Sequence, residues 1–230
     1  MFSSFHPGAH AVIIGASGGI GAALADILDA DARFDTVTRL SRATGLDLTV
    51  PASITDAAAA LPTPPDLVIC ATGVLHADGL APERDIRQLS ADAFARAFAV
   101  NATGPALVAQ AFLPLLPKGR KTLFAALSAR VGSISDNRLG GWHAYRASKA
   151  ALNQLLRTMA IEQARKNPDS IVVGLHPGTV DTGLSKPFQR NVKTLLDPAT
   201  SAAKLLAVVE NATPSNSGRI YDYQGAEIAP

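Results

Sequence analysis

Short apolar runs alternate with longer amphipathic stretches from one end of the chain to the other. AVIIG (11–15) is an unbroken apolar run of strand length that ends in glycine. DTVTRLS (35–41), GLDL (45–48), DLVICATG (66–73), KTLFAALS (121–128), SIVVGLHPG (170–178) and GRIYDY (218–223) continue the series, so seven strands are predicted. Between them, helical spacing predicts helices over about 18–30, briefly over 55–61, then over 90–116 and 142–166. Ser90 stands where an N-cap belongs, and LPLLP ends that helix. Asp197-Pro198 has the form of an N-cap followed by proline at the first helical position, opening a last helix to about 209. Buried strands alternating with helices predict a parallel sheet covered on both faces. The expected fold is a doubly wound, seven-stranded Rossmann-type α/β sheet. With no linker or repeat in the chain, one domain is expected over 1–230. The longest irregular stretches, 73–89 and 179–197, follow strand C-termini, where open α/β sheets bind ligands.

Composition narrows the function classes. The 230 residues are 47% hydrophobic and 17% charged, with a net charge of +2. No basic run points to nucleic acid. Cys70 is the sole cysteine, which rules out an internal disulfide and fits a reducing compartment. It reads as a packing residue rather than a reactive thiol. One cysteine and five scattered histidines do not make a zinc site, and no metal is expected. The N-terminus lacks a signal-peptide pattern. No window was expected to hold the roughly 20 apolar residues of a membrane span. A cytoplasmic protein is the expectation.

Two places carry chemistry. The first strand turns at Gly15-Ala16-Ser17-Gly18-Gly19-Ile20-Gly21. Glycines let a backbone approach a pyrophosphate, and a helix N-terminus offers it unpaired N–H groups. The spacing Gly-x3-Gly-x-Gly departs from the usual Gly-x-Gly-x-x-Gly fingerprint. In WHAYRASKAALN (142–153), Tyr145 and Lys149 lie four apart and share a helix face. A nearby ammonium favours a phenolate, so the pair is either an acid/base device or an ordinary amphipathic face.

GASGGIG, VNATG with Asn101, Tyr145-x-x-x-Lys149 and HPGTVDT (176–182) occur in an order and spacing that resemble the classical short-chain dehydrogenase/reductase family over almost the whole chain. YRASKAALN and the short C-terminal region resemble its C-factor or C-signal-like branch. The resemblance implies that Tyr145 is the general acid or base, with Lys149 lowering its pKa and bonding the nicotinamide ribose. Asn101 would hold a water of a proton relay. Gly15, Ser17, Gly18, Gly19, Ile20 and Gly21 would cradle the pyrophosphate. Asp47 and Leu48 would meet the adenine, and Ala71, Thr72 and Gly73 the adenosine. Pro177, Gly178, Val180 and Thr182 would hold the carboxamide.

Two departures matter. The family's active-site serine falls on Ala129, so Ser128 is taken for that role, with Ser133 as the alternative. At the end of the second strand the chain reads Arg39-Leu40-Ser41-Arg42, with no carboxylate for a ribose hydroxyl. Ser41 and Arg42 would instead accept a 2′-phosphate, which favours NADP(H) over NAD(H). Val74, Leu75, His76, Val131, Trp142, His143, Leu184 and Phe188 are the candidate substrate walls. The expected activity is reduction of a small-molecule carbonyl, or oxidation of an alcohol, by a homodimer or homotetramer. The rivals are a weakly catalytic or non-catalytic nucleotide-binding signalling protein of C-factor type, and an epimerase or dehydratase on the same scaffold.

Overall fold

β1 (Ala9–Ile14) is buried along its whole length and has a parallel neighbour on each side. One is β2 (Phe34–Leu40), the other β3 (Leu67–Cys70). β4 (Thr122–Leu127), β5 (Ser170–His176) and β8 (Ile220–Asp222) extend the sheet in the order β2-β1-β3-β4-β5-β8, all parallel. The computed structural model describes residues 2–77, 80–190, 192 and 194–230. Asp78 and Gly79 of the 73–89 stretch, and Asn191 and Lys193 of 179–197, lie outside the described residues. Leaving β1, the chain can turn towards either neighbour, so the crevice above its C-terminal end is a topological switch point.

The main sheet has six strands, not the seven expected. The missing one is 45–48. Gly45 turns the chain at φ +92°. The Leu46 and Asp47 N–H groups then bond to Ser41 O and Ser53 Oγ, both at 3.0 Å, and not to a ladder. Leu46 and Leu48 are nevertheless buried, which is what made the segment read as a strand. A pair not foreseen, β6 (Thr179–Val180) and β7 (Leu195–Leu196), braces the 179–197 stretch.

Successive strand residues face opposite sides. Ala11, Ile13, Ile69, Ala125 and Val173 pack on α1 (Gly19–Asp29) and α6 (Pro198–Asn211) through Leu24, Leu28, Leu205 and Val209. Val12, Ile14, Val68, Phe124 and Val172 meet Ile54 of α2 (Pro51–Ala59), Val108 and Phe112 of α4 (Gly104–Phe112), and Leu152 and Leu156 of α5 (His143–Lys166). The predicted N-caps form. Asp197 accepts from Thr200 N at 2.8 Å, and Ser90 accepts from Ala93 N at 3.4 Å at the start of α3 (Ala91–Phe98).

α3 passes into a π-helical turn, Ala99–Thr103, and then into α4. Against the expectation that no window would qualify, the run Ala91–Leu115 is long and apolar enough to cross a membrane by length and composition. Its Val108, Ala109 and Phe112 are instead buried against the sheet.

Candidate active site

The turn after β1 is shaped by what its glycines exclude. Gly15 sits at φ +89°, and a Cβ on Gly21 would lie 2.2 Å from Gly15 O. No side chain fits there without moving backbone. Gly18 caps α1 without a side-chain bond, and the first turn holds no acid, so the first N–H groups of the helix stay open to an anion. A cleft of about 640 Å³ opens from this turn, lined by Gly15, Ser17, Gly18, Ser41, Arg42, Asp47, Leu48, Ala71, Thr72 and Gly73 among others. Ten of the predicted cofactor residues thus share one crevice.

The two arginines after β2 have different surroundings. Arg39 is tied to Asp26 at 2.7 Å and to Asp29. Arg42 is exposed, and its guanidinium has no hydrogen-bond or ion-pair partner among the described residues. The Asp47 carboxylate accepts from the Thr49 hydroxyl at 2.7 Å and from Thr49 N at 2.8 Å. These bonds, with the nearby Arg42 charge, hold it below the usual carboxylate range. Burial pushes the Cys70 thiol up, and it sits 3.2 Å from the Thr72 hydroxyl.

Across the sheet, Tyr145 and Lys149 share a face of α5. The Lys149 ammonium lies 5.9 Å from the centre of the tyrosine ring and donates to Leu127 O at 2.7 Å. Among the described residues the Tyr145 hydroxyl has no hydrogen-bond partner. Burial pushes the phenol up to about 12 and the lysine down to about 8. Here the phenol rises, whereas the shared face had suggested a lowered value: loss of water disfavours its charged form, and the lysine does not offset this. A Cβ on Gly73 would come within 3.6 Å of Lys149 Nζ and 3.5 Å of Asn101 Oδ1, so the end of the cofactor cleft adjoins this pair.

Asn101 lies in the π turn, fully buried. Its Oδ1 accepts from Val74 N, and its Nδ2 donates to Val74 O, both at 2.8 Å. Nδ2 also donates to Ser148 Oγ at 3.1 Å, and that hydroxyl donates to Tyr145 O at 2.8 Å. The side chain therefore staples the segment after β3 to α5. The π turn interrupts the helical ladder, a feature that recurs at functional sites.

The serines are engaged. Ser128 Oγ donates to Asn153 Oδ1 of α5 at 2.5 Å. Ser133 Oγ accepts from Asp136 N at 3.1 Å and lies 3.4 Å from Pro230 O. Ala129 between them offers no hydroxyl. On the far wall, Gly178 turns at φ +79° against Tyr223, and Pro177 O accepts from Ser201 Oγ at 2.9 Å. The hydroxyls of Ser185 and Thr182 take the Val180 carbonyl. A Cβ on Gly19 would lie 2.9 Å from Thr182 Cγ2, so this segment reaches the open end of α1.

Three residues with a part here were missed in the sequence. Ser148 had a signal, its place inside Tyr-x-x-x-Lys. Asn153 had none, because its partner lies far along the chain, and neither had Glu83, whose carboxylate accepts from Ala144 N at 3.2 Å at the start of α5.

A family profile described as short chain dehydrogenase matches residues 9–193. The C-signal protein of Myxococcus xanthus is 40% identical over 135 residues, covering 58% of this chain and 76% of that protein. A 1-hydroxy-2-glutathionyl-2-methyl-3-butene dehydrogenase of a Rhodococcus strain is 33% identical over 152 residues, 66% of this chain and just under two thirds (65%) of its own length. The NADPH-bound carbonyl reductase from chicken fatty liver superposes with a TM-score of 0.83 at 24% identity, over 100% of this chain and 96% of that one, which is a likeness of fold. The chain belongs to the classical short-chain dehydrogenase/reductase family, in its C-signal-like branch, and is an NAD(P)-dependent oxidoreductase.

Proposed function

We propose that this protein reduces the carbonyl of a small molecule with NADP(H), with Tyr145 as general acid, and that residues 1–230 work as one Rossmann-type domain. One observation carries the reading: a tyrosine hydroxyl with no hydrogen-bond partner among the described residues stands one helical turn before a buried lysine. The residues present fit a dinucleotide. The open end of α1 and the space kept by Gly15 and Gly21 suit a pyrophosphate, held by Ser17, Gly18, Gly19 and Ile20. Asp47 and Leu48 face the adenine, and Ala71, Thr72 and Gly73 the adenosine. Ser41 and Arg42 take the 2′-phosphate. Pro177, Gly178, Val180 and Thr182 hold the nicotinamide end. When bound, the cofactor supplies the hydride.

The chain supplies the proton. A phenol raised to about 12 keeps its proton at neutral pH, which suits a donor to a carbonyl oxygen. Lys149 is a cation below about pH 8 and stabilises the phenolate left behind. Asn101 fixes the segment after β3 to α5, and water on the π turn returns the proton. Ser128 serves the site through Asn153, by tying the end of β4 to the helix that carries the pair. The 91–115 and 143–166 helices are the surfaces for pairing into a dimer or tetramer, and the cytoplasm is the proposed location. The absence of a serine at Ala129 and the likeness to C-signal favour one second reading, a weakly catalytic signalling protein.

Turnover of a carbonyl panel with NADPH and NADH separates the two. Tyr145→Phe is expected to keep cofactor binding and lose roughly 10²- to 10⁴-fold in kcat. Near-wild-type turnover in a folded Tyr145→Phe protein would overturn the mechanism. A wild type that binds NADPH and turns over nothing favours the second reading.

A further inference from the structure

The turn that delivers Tyr145 is strained. Trp142, the only tryptophan of the chain, stands at φ 54°, ψ 42° as the N-cap of α5. Among the described residues it is the only non-glycine with a positive φ, and it follows two glycines that also have one, Gly140 and Gly141. A bulky residue in the left-handed region is an outlier that persists only where its surroundings hold it. A third glycine would meet no such penalty. The surroundings here are specific. Trp142 N donates to Glu83 O at 2.5 Å, and Ala144 N donates to the buried Glu83 carboxylate at 3.2 Å. Arg146 Nε donates to Gly141 O at 3.0 Å. The backbone strain is thus borne for the sake of the side chain.

That side chain stands beside the reacting group. The indole centre is 6.2 Å from the Tyr145 ring at an interplanar angle of 72°, and 5.1 Å from Phe188 at 63°. Phe188 in turn lies 5.7 Å from His76 at 64°, and His76 Nε2 is 3.0 Å from Gly183 O. Four rings make a line that ends at Tyr145, each inclined to the next by 63–72° in an edge-to-face arrangement. The Arg146 guanidinium donates to the Gly141 and Val131 carbonyls, and the Lys149 ammonium stands over the Tyr145 ring at 5.9 Å.

We propose that Trp142 determines specificity, and that the substrate is a flat, ring-bearing carbonyl compound that lies against the indole with its carbonyl towards Tyr145. This rests on the reductase reading for turnover but not for binding. Ring-on-ring contact contributes about 2- to 13-fold beyond the apolar area buried.

Acetophenone and cyclohexyl methyl ketone have the same carbon skeleton, one with a flat ring and one puckered. Both are titrated into the NADP⁺-bound protein, following the fluorescence of the single tryptophan, and both are assayed for reduction with NADPH. Saturable quenching by acetophenone is expected, with an affinity at least about 5-fold above that of the cyclohexyl ketone. Trp142→Leu should remove the preference, lowering kcat/KM for acetophenone by more than for the cyclohexyl ketone. Trp142→Gly should lose the preference too. Purely linear quenching, or equal losses for both ketones in Trp142→Leu, overturns the proposal even if both ketones are reduced. Saturable, ring-selective quenching without turnover supports it and sinks the reductase reading alone.

Discussion

The two ends of the cofactor crevice are built by different physics. At the adenosine end the backbone does the holding. The turn is set by steric exclusion at Gly15 and Gly21, and the Arg42 side chain, which would read the ribose phosphate, is exposed. At the reacting end the side chains do the holding, and they are buried. Lys149 is 2% exposed and Asn101 fully enclosed, and loss of water moves the phenol and the ammonium in opposite directions. Charges in water are screened and their contacts contribute little, whereas buried ones carry large and opposing terms. Substitutions should therefore act strongly at one end and weakly, with salt dependence, at the other.

Lys149→Met should have the largest effect and the most divided one. Turnover and cofactor affinity should both fall by well over about 10-fold, since the cation beside the phenol is lost. Stability should move the other way. The folded-state value of about 8 lies below the ordinary 10.5, so unfolding takes up a proton between them. Burying the cation costs most below pH 8, and stability rises with pH from about 8 towards 10.5. At pH 7 the variant should gain up to about 3 kcal/mol, and the rise above pH 8 should flatten. Urea unfolding at pH 7 and 10 checks both. Identical pH dependence in variant and wild type would break the contrast.

Gly21→Ala comes next. Its methyl would meet Gly15 O at 2.2 Å, and the backbone must shift. A loss of about 1–3 kcal/mol is expected, with weaker dinucleotide binding. An unchanged thermal midpoint would show that the turn yields easily.

Arg42→Ala sharpens the comparison at the exposed end. NADPH binding should weaken about 10-fold, the lower limit for losing a hydrogen bond to a charged group at an exposed site. The loss should shrink with added salt, and NADH should be unaffected. Equal losses for both cofactors would mean that Arg42 shapes the loop and reads no phosphate. Arg39→Ala is the control, since that guanidinium is already held by Asp26 and Asp29.

The smallest effect separates the serines. Ser128→Ala should lower kcat a few-fold by freeing Asn153, and Ser133→Ala less. If only Ser133→Ala slows the single-turnover step, the assignment around Ala129 must be reversed.

What the chain settled alone was local. The β1 run, the glycine turn after it, the N-caps at Ser90 and Asp197 and the shared face of Tyr145 and Lys149 all depend on residues a few positions apart, within reach of backbone sterics and helical periodicity. The same reach explains the misread strand at 45–48, where two buried leucines imitated one and the turn bonds of Gly45, Leu46 and Asp47 excluded it. Other matters waited on distant neighbours. Arg39 and Arg42 look alike until α1 brings Asp26 and Asp29 to one of them. The different partners of the Ser128 and Ser133 hydroxyls, Asn153 and Pro230, come from far along the chain. The shift of Tyr145 reversed its expected direction, because desolvation depends on everything packed around a group. Trp142 looked like one wall residue among several, and only the fold placed it on a strained turn, held by Glu83, beside Tyr145.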